Sequence, residues 1–356
     1  MSVQFYPLQV SEVRRETLDT VSIAFTLLDQ DKAIFQFTQG QYLTLKTTIE
    51  GEEVRRSYSI CSGAQNDDLR VAVKLVAGGV FSTWANQHLK AGDWLEVMPP
   101  QGRFFTELLP ENQKIYVAFA AGSGITPVMS LLRSTLQQEP KSQFILFYGN
   151  RSFDTIIFRE QLEELKNLHP DRLSVHHVLS RESLGSDLFK GRLDGAKCQR
   201  FGQYFFSPTE VDAYFLCGPE EMVFSVKETL LAMGAPAKSV HFELFTTAGT
   251  QKRKPLVTDT TPSFEAAITV IQDGAQFDFD LPSVGSTILD AAMRAGADLP
   301  YSCKGGVCST CKARVLEGAV KMELNYGLEP DEVEAGYILT CQAHPTTARV
   351  VVSFDV

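Results

Sequence analysis

The sequence predicts a multidomain protein with three architectures in series: an antiparallel β-barrel, an α/β domain built on a parallel sheet, and a small α+β unit. Three observations carry this expectation. At 356 residues the chain is too long for one ordinary core, so the length prior is two or three domains. Near Lys114 the pattern changes from short alternating segments to a repeat of strand, turn and helix. It changes again over Thr246–Pro262, TTAGTQKRKPLVTDTTP, which has no period, is rich in Thr and Pro, and reads as a linker. The expected boundaries are 1–110, 111–246, a linker at 247–262, and 263–356.

In the first domain VSIAFTL, QYLTLKTTI, VRRSYSI, LRVAVKLV and DWLEVMP each read as strands, with one helix in GVFSTWANQHL. Five or six antiparallel strands with a single helix suggest a closed barrel, because closure hides the sheet edges. From Lys114, IYVAFAA is a buried-type strand, GSG is a turn, and ITPVMSLLRSTLQQE has apolar residues at helical spacing. Thr126 is expected to cap that helix and Pro127 to occupy its first position. QFILFYG, IFREQLEELKNL, LSVHHVL, AYFLCG, PEEMVFSVKETLLAMG and VHFELF repeat the alternation, which predicts a parallel sheet covered on both faces. After the linker, FEAAITVI and AQFDFDL read as a hairpin and STILDAAMRAG as a helix. KARVLEGAV and ARVVVSF complete the unit.

Composition narrows the function class. Apolar content of 44% with 10% aromatics is that of a globular protein. A formal charge of -10 argues against a nucleic-acid binder, since no basic stripe is available to displace phosphate counterions. From 263 onward 13 acidic residues stand against 6 basic ones, and such a face can steer a basic redox partner. No signal peptide is read at MSVQFYPLQVSEVRRET, and no apolar run approaches the ~20 residues of a membrane span. With no regular cysteine framework, the expected location is a reducing, cytoplasmic compartment, with no membrane partner.

The strongest chemical signal is YSCKGGVCSTCK. Cys303, Cys308 and Cys311 stand at C-x4-C-x2-C, and 29 residues separate Cys311 from Cys341. Three thiolates on one loop and one from elsewhere is the spacing of a plant-type [2Fe-2S] centre. Gly305 and Gly306 leave the backbone free to turn inward, so that their amides, with those of Ser309 and Thr310, could point at sulfurs. Zinc is the rival, but structural zinc usually takes two short-spaced pairs, and Cys341 has no such mate.

Arg56, Ser57, Tyr58 and Ser59 make an R-x-Y-S strand, combining a cationic fork for a phosphate, an aromatic for a flat ring and a hydroxyl. Val73 and Lys74 end a strand, and Gly78, Gly79, Val80, Phe81 and Ser82 then open a helix, a geometry of free amides suited to phosphate. Gly122, Ser123 and Gly124 lie in one strand-to-helix turn of the second domain and Cys217, Gly218 and Pro219 in another. Two small-residue turns at the carboxyl ends of parallel strands define one crevice, where a nicotinamide should enter. The histidines, including His176 and His177, have no ligand spacing and read as structural.

The order R-x-Y-S, G-G-x-x-S, G-S-G-x-T-P and C-G-P resembles the ferredoxin-NADP reductase superfamily, and the tail resembles plant-type ferredoxin. The resemblance implies a β-grasp fold for residues 263–356 and assigns Arg56 to an FAD phosphate, Tyr58 to the isoalloxazine and Ser59 to its reactive edge. It gives the FAD pyrophosphate to Gly79–Ser82, and the nicotinamide cofactor to Gly122–Pro127 and Cys217–Pro219, with Thr126 and Cys217 nearest the hydride path. Glu243 and Phe245 of E-L-F match a carboxylate and aromatic beside the flavin. Ser59, Cys217 and Glu243 are the expected catalytic group. Ser180 and Arg181, with Arg151, occupy the place where NADPH-using relatives hold the 2′-phosphate, so NADPH is expected, with NADH as the other possibility.

The domain order is similar to reductase components of bacterial oxygenases. IIFREQLEELKNLHPDRL with CKGGVCSTC looks most like the phenylacetyl-CoA epoxidase reductases. That implies single electrons passing from NADPH through FAD and the cluster to a di-iron oxygenase of phenylacetate degradation. Reductases of Rieske-type or steroid hydroxylases, or of the hybrid-cluster protein, share these motifs. A redox sensor would keep the cluster without needing an intact hydride site.

Overall fold

The computed structural model describes residues 4–65, 68–183, 185–245 and 263–355. The linker expected at 247–262 lies outside the described residues. The described parts of the chain form two compact units, one drawn from residues 1–6, 53–57 and 246–356 and the other from 7–52 and 58–245.

The N-terminal sheet comprises β1 (Tyr6–Thr17), β2 (Thr20–Thr26), β3 (Tyr42–Ile49), β4 (Glu52–Ser59), β5 (Leu69–Lys74) and β6 (Trp94–Val97) in the order β4-β3-β6-β1-β2-β5. Immediately after β4, Ile60 bridges Val71 of β5, which closes the ring. Two helices interrupt it, α1 (Asp29–Lys32) and α2 (Val80–Gln87). β1 and α1 are absent from the sequence reading. In β1 only Leu8, Val10 and Thr17 are buried, and register shifts at Val10/Glu12 and Arg15/Thr17 break the alternation that would have announced a strand.

The parallel sheet contains β7 (Ile115–Ala121), β8 (Gln143–Asn150), β9 (Leu173–Leu179), β10 (Ala213–Gly218) and β11 (Val240–Leu244), in the order β11-β10-β7-β8-β9. The order reverses between β7 and β10, so the crevice for a ligand lies at their carboxyl ends. Its helices are α3 (Ile125–Gln138), α4 (Arg159–Leu168), α5 (Gly195–Tyr204) and α6 (Glu220–Ala232). Thr126 does not cap α3. Gly122–Gly124 forms a tight helical turn that leads directly into it, Gly124 holds the cap position, and the Thr126 hydroxyl donates to Ser123 O at 3.0 Å. Pro127 is correspondingly the third helical residue, where it still displaces no intrahelical N–H. Helix α5, missed in the sequence, starts at Asp194, whose carboxylate accepts from Lys197 N at 2.8 Å. Cys61, Ala72 and Phe104 of the barrel share one core cluster with Ala118, Ile125, Phe215 and their neighbours.

The C-terminal part has β12 (Glu265–Gln272), β13 (Ala275–Pro282), α7 (Ile288–Arg294), β14 (Lys312–Glu317), β15 (Val320–Met322), α8 (Pro330–Glu334), β16 (Tyr337–Leu339), β17 (Ala343–Pro345) and β18 (Arg349–Ser353). Its main sheet runs β13-β12-β18-β14-β16, with β12 and β18 parallel and the other pairs antiparallel, over a core that includes Ile268, Leu289, Cys311 and Val350. Asp273 and Gly274 make the expected hairpin turn, both at positive φ of 52° and 74°. Among the described residues no helix is long and apolar enough to cross a membrane.

Candidate functional site

Strand β4 presents the R-x-Y-S residues. The Tyr58 ring lies 5.4 Å from that of Phe81, so α2 braces the aromatic. Ser59 Oγ donates to Glu243 Oε2 at 3.2 Å, joining the end of β4 to β11. Arg56 Nη1 donates to Arg55 O at 2.7 Å. In the loop before α2, Gly78 takes φ of +73°, and Ser82 Oγ accepts from Val76 N at 3.1 Å and donates to Gly79 O at 3.2 Å. That hydroxyl is thus spent on shaping the loop. Val73 O accepts from Asn86 Nδ2 at 3.1 Å, Lys74 pairs with Asp19 at 3.5 Å, and Val80 is exposed. The bare backbone of Gly78 and Gly79, a braced aromatic and a hydroxyl-carboxyl pair together suit an FAD.

The second crevice is made by close approach. A Cβ on Gly124 would stand 2.1 Å from Cys217 O, so the turn after β7 packs against the turn after β10 with no room for any side chain. Tyr148 OH donates to Gly122 O at 3.0 Å and holds the first turn from below. Cys217 is paired in register with Glu243 across β10 and β11. Burial, and then the nearby Glu243, push the Cys217 thiol well above its ordinary range, so it is a neutral thiol. Burial raises Glu243 from an ordinary 4.5 to about 8, against the opposing effect of the Ser59 hydrogen bond, so this carboxyl is largely protonated at neutral pH. Phe245 packs against the shared core.

At the far end of the crevice, Ser180 N donates to Asn150 O at 3.0 Å and Arg181 N to Arg151 O at 2.8 Å. This extends the β8–β9 pairing and sets two exposed arginines side by side. Glu182, which the motifs did not single out, accepts from Phe153 N at 2.9 Å. His176 is stacked on Phe147 at 5.1 Å between ring centroids, and burial lowers it to about 4, as a structural histidine requires.

The four cysteines converge as two pairs. Cys308 donates to Cys303, which lowers Cys303 to about 6 with the Gly305, Val307 and Cys308 amides assisting, and Cys308 is raised in return. Cys311 stands in the same relation to Cys341, which the Gly306 amide also reaches. Gly305 N is 3.3 Å from Cys303 Sγ. Lys304, Gly306 and Ser309 take φ of 50°, 75° and 56°, so the loop is bent inward at both kinds of residue. Thr310 contributes through its side chain, toward Cys308, and Ser309 Oγ donates to Gly327 O at 2.6 Å. Gln342, a residue the motifs missed, donates to Lys304 O at 3.0 Å and lies 3.7 Å from Cys341 Sγ. Among the described residues no three His, Cys, Asp or Glu side chains gather in a single-ion site. Two thiol pairs with amides aimed at sulfur suit a centre of two irons.

Three family models match the chain: an oxidoreductase FAD-binding domain at 7–106, an oxidoreductase NAD-binding domain at 119–228, and a 2Fe-2S iron-sulfur cluster binding domain at 270–346. The chain is 46% identical over 351 residues to one of the subunits of the 1,2-phenylacetyl-CoA epoxidase of Escherichia coli K12, covering 99% of this chain and 98% of that protein. It is 35% identical to the ferredoxin reductase component of 3-ketosteroid-9-alpha-monooxygenase from Rhodococcus rhodochrous, covering 98% and 96%. Among solved structures, phthalate dioxygenase reductase superposes with a TM-score of 0.60 at 22% identity, covering 98% of both chains. A type IV self-sufficient cytochrome P450 monooxygenase superposes with a TM-score of 0.71 at 21% identity, covering 98% of this chain and 41% of that one.

Proposed function

Since the chain belongs to the family of oxygenase reductase components that join FAD-binding, NAD-binding and 2Fe-2S domains, we propose that it supplies electrons from NADPH to an oxygenase, the phenylacetyl-CoA 1,2-epoxidase of phenylacetate degradation. The observation that carries the choice of acceptor is the 46% identity over 99% of the chain. When bound, FAD accepts two electrons together and the [2Fe-2S] centre releases them singly.

Arg56 and the amides of Gly79–Ser82 would hold the FAD phosphates, Tyr58 its ring, and Ser59 its reactive edge. Gly122–Pro127 and Cys217–Pro219 would hold the nicotinamide cofactor, and the bare backbone of their glycines would let its ring come close to the flavin face. Cys217 adds a buried, uncharged edge that excludes water, and the protonated Glu243 carboxyl keeps the Ser59 hydroxyl oriented. Arg151, Ser180 and Arg181 would receive the 2′-phosphate, which favours NADPH over NADH. Cys303 with Cys308 would hold one iron and Cys311 with Cys341 the other. The free thiols, together with the acceptor, support a reducing, cytoplasmic location.

The test is an anaerobic titration of the purified protein with NADPH, followed by absorbance and low-temperature EPR. Uptake of about three electrons per chain is expected, two by flavin and one by the cluster. NADH should reduce the protein only at higher concentration. Flavin bleaching alone, in protein shown to lack iron, would overturn the reading.

Glu243 also makes a pH prediction. The folded state holds its proton more tightly than the unfolded chain does, so its contribution to stability is full below about 4.5, declines as pH rises through about 8, and is gone above that. In Glu243→Gln that slope should vanish. Denaturant unfolding at a series of pH values measures it, and equal slopes in both proteins would contradict the assignment.

A further inference from the structure

Residues 53–57 of β4 belong to the same compact unit as the described residues of the C-terminal part. Side chains alternate along a strand, so Arg55 and Ser57 share one face while Arg56 and Tyr58 share the other. The Arg55 and Ser57 face is occupied. Arg55 is only 6% exposed, yet its guanidinium is fully engaged. Nε pairs with Glu53 at 2.7 Å, Nη2 with Asp298 at 3.0 Å, and Nη1 donates to Leu299 O at 3.4 Å. The Tyr301 ring centroid lies 4.7 Å from the guanidinium carbon, and the Phe5 ring 5.1 Å away. Two positions on, Ser57 Oγ donates to the buried Ser302 Oγ at 2.7 Å. Both residues therefore meet the five-residue stretch 298–302, which runs straight into Cys303.

A buried cation is costly unless its donors are matched, and this one is matched by two carboxylates, a carbonyl and two aromatic faces. Lysine could not make the same fork. We propose that Arg55 is a positioning residue, a clasp that fixes the stretch 298–302, and with it the first cysteine of the cluster loop, against residues 53–57 of the same unit. The inference rests on the reading that electrons pass from flavin to cluster, and goes beyond it by naming what holds the start of the cluster loop.

The test uses full-length holoprotein carrying Arg55→Met, Arg55→Lys or Asp298→Asn, read first by hydrogen exchange of peptides covering 298–304. Arg55→Met should speed exchange there about five- to tenfold, the loss expected from removing charge-assisted hydrogen bonds, with β14 and β18 unchanged. Pre-steady-state reduction of cytochrome c should slow by a similar factor while ferricyanide reduction keeps its rate. Arg55→Lys should recover part of both effects. Asp298 is 84% exposed, so Asp298→Asn carries little folding risk; it should move exchange in the same direction by less, and add nothing on top of Arg55→Met. Wild-type exchange over 298–304 in Arg55→Met, or a uniform rise across the unit, would overturn the clasp. If the exchange effect is present but the wild-type protein reduces cytochrome c without needing its cluster, the clasp stands and the electron-transfer reading fails.

Discussion

Cys308→Ser is expected to stop electron delivery to cytochrome c while ferricyanide reduction continues near the wild-type rate. Cys308 and Cys303 form one of the two thiol pairs, so on the proposed ligation losing either would leave one iron with a single protein sulfur. A serine oxygen is a hard donor where the cluster needs soft thiolate. Since losing even an outer partner of a metal ligand costs about 10- to 100-fold, loss of a ligand should reduce cluster-routed activity by about 100-fold or more. Ferricyanide accepts electrons from flavin directly, and the FAD-binding domain at 7–106 and NAD-binding domain at 119–228 do not include this loop. Iron content, absorbance of the cluster and the two steady-state assays decide it. Equal loss of both activities would mean that the cysteine loop does not serve a separate electron-transfer domain.

Gly124→Ala should nearly abolish reduction by the nicotinamide cofactor. The new Cβ would sit 2.1 Å from Cys217 O, 2.5 Å from Cys217 C and 2.9 Å from Gly218 N, all backbone, so no side chain can swing aside. The turns after β7 and β10 must then separate by about 1 Å, a displacement that can cost about 100-fold in a reaction dependent on near-contact geometry. Overpacking of this kind also costs about 1–3 kcal/mol of stability. Gly122 provides the contrast, because a Cβ there would meet nothing within 4 Å, but its φ is +55°. Alanine at that position should cost about 1–2 kcal/mol from backbone strain and leave the spacing of the two turns unchanged. Stopped-flow reduction of the flavin by NADPH separates the two. A Gly124→Ala protein reduced as fast as wild type would show that the crevice is not where the cofactor reacts.

Much of this was legible in the residues themselves. The strands β7, β9 and β10 coincide with IYVAFAA, LSVHHVL and AYFLCG, and β7 and β10 stand out most because parallel strands buried along nearly their whole length read as apolar runs. β1 was not legible, since most of its side chains face outward and its bulges scramble the period. Helix α5 carries two glycines and only three buried residues, although the Asp194 cap was a signal in plain view. The cap at Thr126 failed because the cap preference is local, whereas the start of α3 is decided by the preceding tight turn wedged against Cys217.

Sequence alone determined the kinds of element, the loop of thiols and the order of the cofactor motifs, because these depend on period, spacing and residue type. Tertiary structure decided which groups meet: Ser59 with Glu243, 184 positions apart; Arg55 with Asp298, 243 apart; and Cys311 rather than Cys308 with Cys341. Those pairings also set the chemistry, since the carboxyl of Glu243 is neutral only where burial strips its water away. Contact and desolvation are properties of the folded chain, and no local pattern encodes them.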